Sequence, residues 1–134
     1  MKKTILFLLV AFLTISGTTF GKSKENVEVL YFKANLCPCK ARTCNALQAD
    51  VDNVLKTYFA KENIQFKVIQ LADEANKELI AKYKAESQTV VVIKTKGKKE
   101  TATDLSAIVK DYAMKQNKEK FETELKEKIA ESLK

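Results

Sequence analysis

Residues 27–60 read VEVLYFKANLCPCKARTCNALQADVDNVLKTYFA. The opening run, VEVLYFK, sets Val27, Val29, Leu30, Tyr31 and Phe32 almost side by side. Apolar residues on both alternating faces predict a strand buried on both sides. Residues 34–43 hold Cys37, Pro38 and Cys39 and predict a loop. From about Thr43 to Ala60 the pattern changes. Leu47, Val51, Val54, Leu55, Tyr58 and Phe59 recur at three- and four-residue intervals, which predicts a helix with Cys44 in its first turn.

The same reading extends downstream. Residues 64–71, IQFKVIQL, alternate Ile64, Phe66 and Val68 with polar neighbours and predict a second strand. Asp73 is placed to cap a following helix whose buried face is Ala75, Leu79, Ile80 and Tyr83. Residues 89–95, TVVVIKT, predict a third strand, and Lys96-Gly97-Lys98 a tight turn with Gly97 at positive φ. Residues 99–103 return as a short fourth strand. Thr103 or Asp104 then caps a helix carrying Leu105, Ile108, Val109 and Tyr112. A last helix, from about Lys118 to Leu133, sets Phe121, Leu125, Ile129 and Leu133 four apart, in one apolar stripe among Lys and Glu. The predicted order is β-α-β-α-β-β-α with one helix appended. A βαβ half implies a parallel pair with a right-handed crossover. The hairpin half adds an antiparallel strand. The expected fold class is therefore α/β, a central mixed four-stranded sheet with helices on both faces.

Upstream, Lys2 and Lys3 precede an apolar run from Ile5 to Ile15, and Ser16, Gly17, Thr18 and Thr19 follow. Basic, apolar and then small residues make the pattern of a cleavable secretory signal peptide. The run is too short to settle across a ~30 Å hydrocarbon layer. A cut after Gly21 is expected, giving a leader at 1–21 and one domain at 22–134, periplasmic or secreted. An uncleaved N-terminal anchor is the alternative. No cysteine lies at the boundary to take a lipid.

Loss of Lys2 and Lys3 with the leader lowers the net charge from +7 to +5. The excess is lysine spread over helices, with Arg42 the single arginine, so the charge reads as solubility and no nucleic-acid partner is expected. The chain has no His and no Trp. That removes Ser–His and Cys–His nucleophile pairs and imidazole metal ligands. Any chemistry falls to cysteine, carboxylate, lysine or backbone, and all three cysteines lie within residues 37–44.

Cysteines between a first strand and a first long helix, in this element order, resemble the thioredoxin fold over about Val27 to Tyr112. The phrases VEVLYF, Thr43-Cys44, VLKTYF, FKVI, KYK and GKKET, with a closing Lys/Glu helix, look like a group of small exported thioredoxin-like proteins, the nitrophenyl-compound nitroreductase subunit family. The chain has no nucleotide-binding glycine pattern, so the resemblance implies the domain and not a nitroreductase activity. It implies no cofactor. In such proteins a Cys-x-x-Cys opens the first helix, where the helix dipole and exposed N–H groups favour the thiolate. Cys44 stands 14 residues before Tyr58, as the group's second cysteine does. Ala41 occupies the first cysteine's place, and a loop about three residues longer supplies Cys37 and Cys39 instead. Thioredoxins also set a cis-proline before the third strand. Gln88 stands there, and a cis bond before a non-proline costs about 3 kcal/mol. A trans bond or a rearranged loop is expected.

Three readings of Cys37, Cys39 and Cys44 follow. The first is a thiol–disulfide exchange protein or redox carrier, monomeric, whose partners are protein thiols or disulfides, with a membrane electron donor as one candidate. Cys39–Cys44 is the favoured pair and Cys37–Cys44 a second. A Cys37–Cys39 bridge would enclose one residue and be strained. Lys40 and Arg42 would favour a nearby thiolate. The second reading is a trigonal site of three thiolates for Cu(I), Zn(II) or trivalent arsenic. The third is a non-catalytic domain clamped by a structural disulfide. Tyr31, Phe32, Tyr58 and Phe59 read as core. Asp50 and Asp52 diverge on their helix and make a poor acid–base pair. Glu28 is the nearest candidate for an acid serving the second cysteine.

Overall fold

The computed structural model describes residues 25–35 and 38–134, excepting the side chains of residues 38–41. The leader, its cut and Cys37 lie outside the described residues. Strand β1 runs Glu25–Lys33, helix α1 Pro38–Tyr58 and strand β2 Gln65–Gln70. A 3-10 turn at Glu74–Asn76 leads into α2, Lys77–Tyr83. Strands β3, Val90–Lys96, and β4, Lys99–Asp104, form the hairpin. Helices α3, Ser106–Lys115, and α4, Lys118–Ser132, close the chain.

The sheet order is β2-β1-β3-β4. Strand β1 is parallel to β2 (Tyr31 opposite Val68) and antiparallel to β3 (Tyr31 opposite Val90), and β3 is antiparallel to β4. This is an α/β fold with the mixed sheet of the thioredoxin-like class. The central pair β1 and β3 are the two strands whose sequences are apolar on both faces, and both faces are covered. One side buries Val27, Val29, Tyr31, Val90 and Val92 beneath α1, α3 and α4. The other buries Leu30, Phe32, Val91 and Ile93 beneath α2, through Leu79, Ile80 and Tyr83.

Local chemistry sets the boundaries. Asp73 accepts the Ala75 N–H at 3.0 Å, and Asn117 accepts the Lys120 N–H at 3.1 Å, each capping a helical start. The Asp104 carboxylate accepts the Ser106 N–H at 2.8 Å at the head of α3. The hairpin closes through the pair Lys96–Lys99, with Gly97 at φ 62°. Positive φ at the first central position of a two-residue loop favours glycine. In α4 the stripe Phe121, Leu125 and Ile129 is buried, and the Phe121 ring stacks on Tyr112 with centroids 4.3 Å apart.

Two expectations are corrected. The segment 34–43 is not all loop, because α1 already begins at Pro38. Proline suits a first helical position, where its φ is preset and its missing N–H has no intrahelical acceptor to lose. Cys44 therefore sits in the second turn and not the first. Tyr58 is not core. It is 44% exposed at the last residue of α1, with the Lys126 ammonium 5.0 Å from its ring centre, while Phe59 beyond the helix end is buried.

Candidate functional site

The C-terminal end of β1 delivers the chain to α1. Past Lys33, two neighbours flank it. The Leu71 N–H donates to the Lys33 carbonyl at 2.9 Å on one side. On the other, Phe32 faces two residues at once: its N–H donates to Thr89 O at 2.8 Å and its carbonyl accepts from Gln88 N at 3.0 Å. Gln88 has φ 68°, and the Thr89 N–H closes a turn onto Glu86 O at 3.1 Å. This is a β-bulge with its first residue left-handed, the position at which glycine is preferred. No cis peptide bond occurs among the described residues. The bulge brings residues 86–89 to the sheet end from which α1 departs. The Ser87 hydroxyl is buried there without a hydrogen-bond partner among the described residues.

Cys44 is the described cysteine side chain. It is 0% exposed, carries a free thiol and belongs to the core beneath α1, α3 and α4. Tyr31 on β1 meets it. The phenolic O–H donates to the Cys44 carbonyl at 3.1 Å, and its oxygen lies 3.5 Å from Sγ. Burial, and then the hydrogen bond to Cys44, pushes the Tyr31 hydroxyl well above the ordinary tyrosine range. The shift keeps Tyr31 protonated into alkaline pH.

Glu28 does not serve this thiol. Successive strand residues point to opposite faces, and Glu28 shares the α2 side with Leu30, paired to Lys67 at 2.7 Å. The polar neighbour of the second cysteine is the Tyr31 hydroxyl. Sequence periodicity marks Tyr31 as core, which it is at 0% exposure, but gives no sign that its hydroxyl meets a thiol 13 positions away.

Helical continuity from Pro38 also constrains the cysteines. Positions five apart on an α-helix lie about 8.7 Å apart between Cα atoms and about 140° apart around the axis. Disulfides span about 4.4–6.8 Å. The favoured Cys39–Cys44 bridge, which presupposed a loop at position 39, is incompatible with an intact first turn of α1.

No family model and no curated relative matches the chain. Two solved structures resemble it. One, described as the structure of a malarial protein, is 24% identical, with 68% of this chain and 96% of that chain covered and a TM-score of 0.38. The other, Trxlp from Edwardsiella tarda, is 10% identical, with 69% and 85% covered and a TM-score of 0.40. At these scores neither carries an argument about fold or activity. The narrower resemblance to the nitroreductase subunit family finds no support in them. What the chain shows by its own strand order, strand directions and helix placement is an α/β fold of the thioredoxin-like class.

Proposed function

We propose that the chain is an exported thiol–disulfide exchange protein whose entry thiol is Cys39 or Cys37 and whose resolving thiol is Cys44. The observation that carries the reading is the placement of Cys44: buried beneath the helix that leaves β1, two turns from a start at which a second cysteine is encoded. A helix N-terminus lowers a thiol's pKa through its dipole and unpaired N–H groups. The entry thiolate attacks one sulfur of a partner disulfide and releases the other as a thiolate. Cys44 then attacks the mixed disulfide. The partner leaves with two thiols, and this chain keeps one disulfide. Two electrons pass to the partner, and the reverse sequence passes them back.

The helix register adds a condition. Closing Cys39–Cys44 requires the first turn of α1 to unwind, so the reduced and oxidised forms differ in helix length. A static binding domain is the second reading, favoured by the complete burial of Cys44.

The test is thiol counting on the mature protein with and without reductant, followed by exchange assays on Cys37→Ser, Cys39→Ser and Cys44→Ser. One reducible disulfide, a remaining labelled thiol and loss of exchange in Cys44→Ser support the proposal. Exchange as fast as the parent in every single variant overturns it. A disulfide that resists a glutathione buffer favours the static domain.

A further inference from the structure

At the opposite end of the sheet lies a cleft of about 490 Å³, lined by Lys94, Lys96, Lys99, Thr101, Lys128 and Lys134 among others. Its floor is the sheet face that α4 covers farther up. Val92 is buried on that face, and alternation puts Lys94 and Lys96 on it as well. Opposite them in the hairpin register stand Thr101 and Lys99. Helix α4 forms the wall with Lys128 and Glu131.

The lysines are not equivalent. Lys94 is committed to the fold: its ammonium donates to the Leu133 carbonyl at 2.6 Å and pairs with Glu25 at 2.7 Å, tying the end of α4 to the sheet. Lys128 pairs with Glu131 at 2.7 Å. Lys96 and Lys99 are exposed and make no ion pair among the described residues. They form the directly opposed closing pair of the hairpin, and on its other side Lys96 stands opposite Glu25 of β1. Like charges directly opposite on one sheet face are destabilising. Glu25, already paired with Lys94, offsets part of the charge at Lys96 but has no counterpart opposite Lys99, and an anion in the cleft would relieve what remains.

We infer that this cleft binds a small multivalent phosphate ligand, clamped between Lys96 and Lys99, with Thr101 as hydroxyl donor and Lys128 on the wall. A volume near 500 Å³ suits a small molecule. Ammonium–phosphate contacts are among the stronger hydrogen bonds. The site is distinct from the cysteine end. From Val90 to Lys96 the strand advances about 20 Å. The inference does not depend on the thiol chemistry.

The experiment titrates the mature full-length protein with inorganic pyrophosphate at low ionic strength, by calorimetry and by amide chemical shifts. Saturable 1:1 binding is expected, with shifts concentrated at residues 94–103 and 128–134. Lys99→Glu should weaken it about tenfold or more. The same substitution should raise the melting temperature of the free protein, because it turns a repulsive cross-strand pair into an attractive one. Thr101→Val should weaken binding with little change in melting temperature. Lys77→Glu, on α2 across the sheet, makes the same change in net charge and should leave binding unaltered. Equal weakening by Lys99→Glu and Lys77→Glu, or shifts spread over all lysines, overturns the inference. Binding to anionic phosphatidylglycerol vesicles without binding to pyrophosphate overturns it too, in favour of a membrane surface.

Discussion

The Tyr31 hydroxyl donates to the Cys44 carbonyl at 3.1 Å and lies 3.5 Å from the Cys44 sulfur, joining the central strand to the cysteine-bearing helix inside the core. The contact makes stability depend on alkaline pH. Tyr31 ionises above the ordinary tyrosine value because burial disfavours the phenolate and the bond to Cys44 holds the proton. A folded-state pKa raised above the unfolded one gives stability that is complete below the unfolded value, about 10, and is lost as pH rises past it. The slope is about 1.4 kcal/mol per pH unit for one proton. Tyr31→Phe should therefore cost about 1 kcal/mol at pH 7 through the lost hydrogen bond. Near pH 11 the deficit should vanish or reverse. Urea unfolding of both proteins at the two pH values measures it, and parallel curves would remove Tyr31 as the titrating group.

Burial of Cys44 predicts its reactivity. In a Cys37→Ser/Cys39→Ser background, iodoacetamide should label Cys44 at least about a hundredfold more slowly in native than in denatured protein, because access requires local opening. Tyr31→Phe should speed native labelling by removing one tie between β1 and α1. Labelling at the denatured rate would mean that the second turn of α1 is open in solution.

The sequence made the sheet legible and left the site half hidden, for different physical reasons. Strands β1 and β3 are apolar on both faces because both faces are covered, by α1, α3 and α4 on one side and by α2 on the other. The stripe Phe121, Leu125 and Ile129 repeats at helical spacing and is buried as read. Pro38 misleads because proline breaks helix interiors but fits their first position equally well, and only the backbone decides between the two. Tyr58 misleads because its spacing from Val51, Val54 and Leu55 puts it on the buried stripe, yet it is the last residue of α1 and stands 44% exposed where the helix ends. Glu28 fails by strand parity, since one residue's shift along β1 moves a side chain across the sheet. The Tyr31–Cys44 contact and the Lys96–Lys99 opposition are tertiary and register facts, and composition carries neither.

Helix α4 follows the β4–α3 unit and seals the core from outside. Phe121 is 2% exposed and stacks on Tyr112, whose hydroxyl donates to Asp50 on α1 at 3.1 Å. The stack thus links three helices. Phe121→Ala should destabilise by about 3–5 kcal/mol through lost burial and the cavity left behind. Asn117→Ala removes only the cap on Lys120 and should cost about 1 kcal/mol. Thermal denaturation of the pair separates the two roles. A Phe121→Ala loss no larger than that of Asn117→Ala would show that α4 is not integral to the core.

Gln88 occupies the place before the third strand where a thioredoxin would set proline, and its geometry shows why proline would not be accepted there. Its φ is 68°, whereas the proline ring holds φ near −65°, and its N–H is engaged with the Phe32 carbonyl at 3.0 Å. Gln88→Pro should therefore destabilise by about 3 kcal/mol or more. Gln88→Gly should do the opposite. A left-handed position strains a side chain by roughly 1–2 kcal/mol. Glycine escapes that strain but loses roughly 0.5–1 kcal/mol of chain entropy on folding. The net expectation is a gain of about 0.5 kcal/mol. Equilibrium unfolding of both variants checks the signs. A stable, well-folded Gln88→Pro protein would mean that the bulge at residues 88–89 can be rebuilt into the thioredoxin arrangement, and that Gln88 reflects choice of side chain and not of backbone.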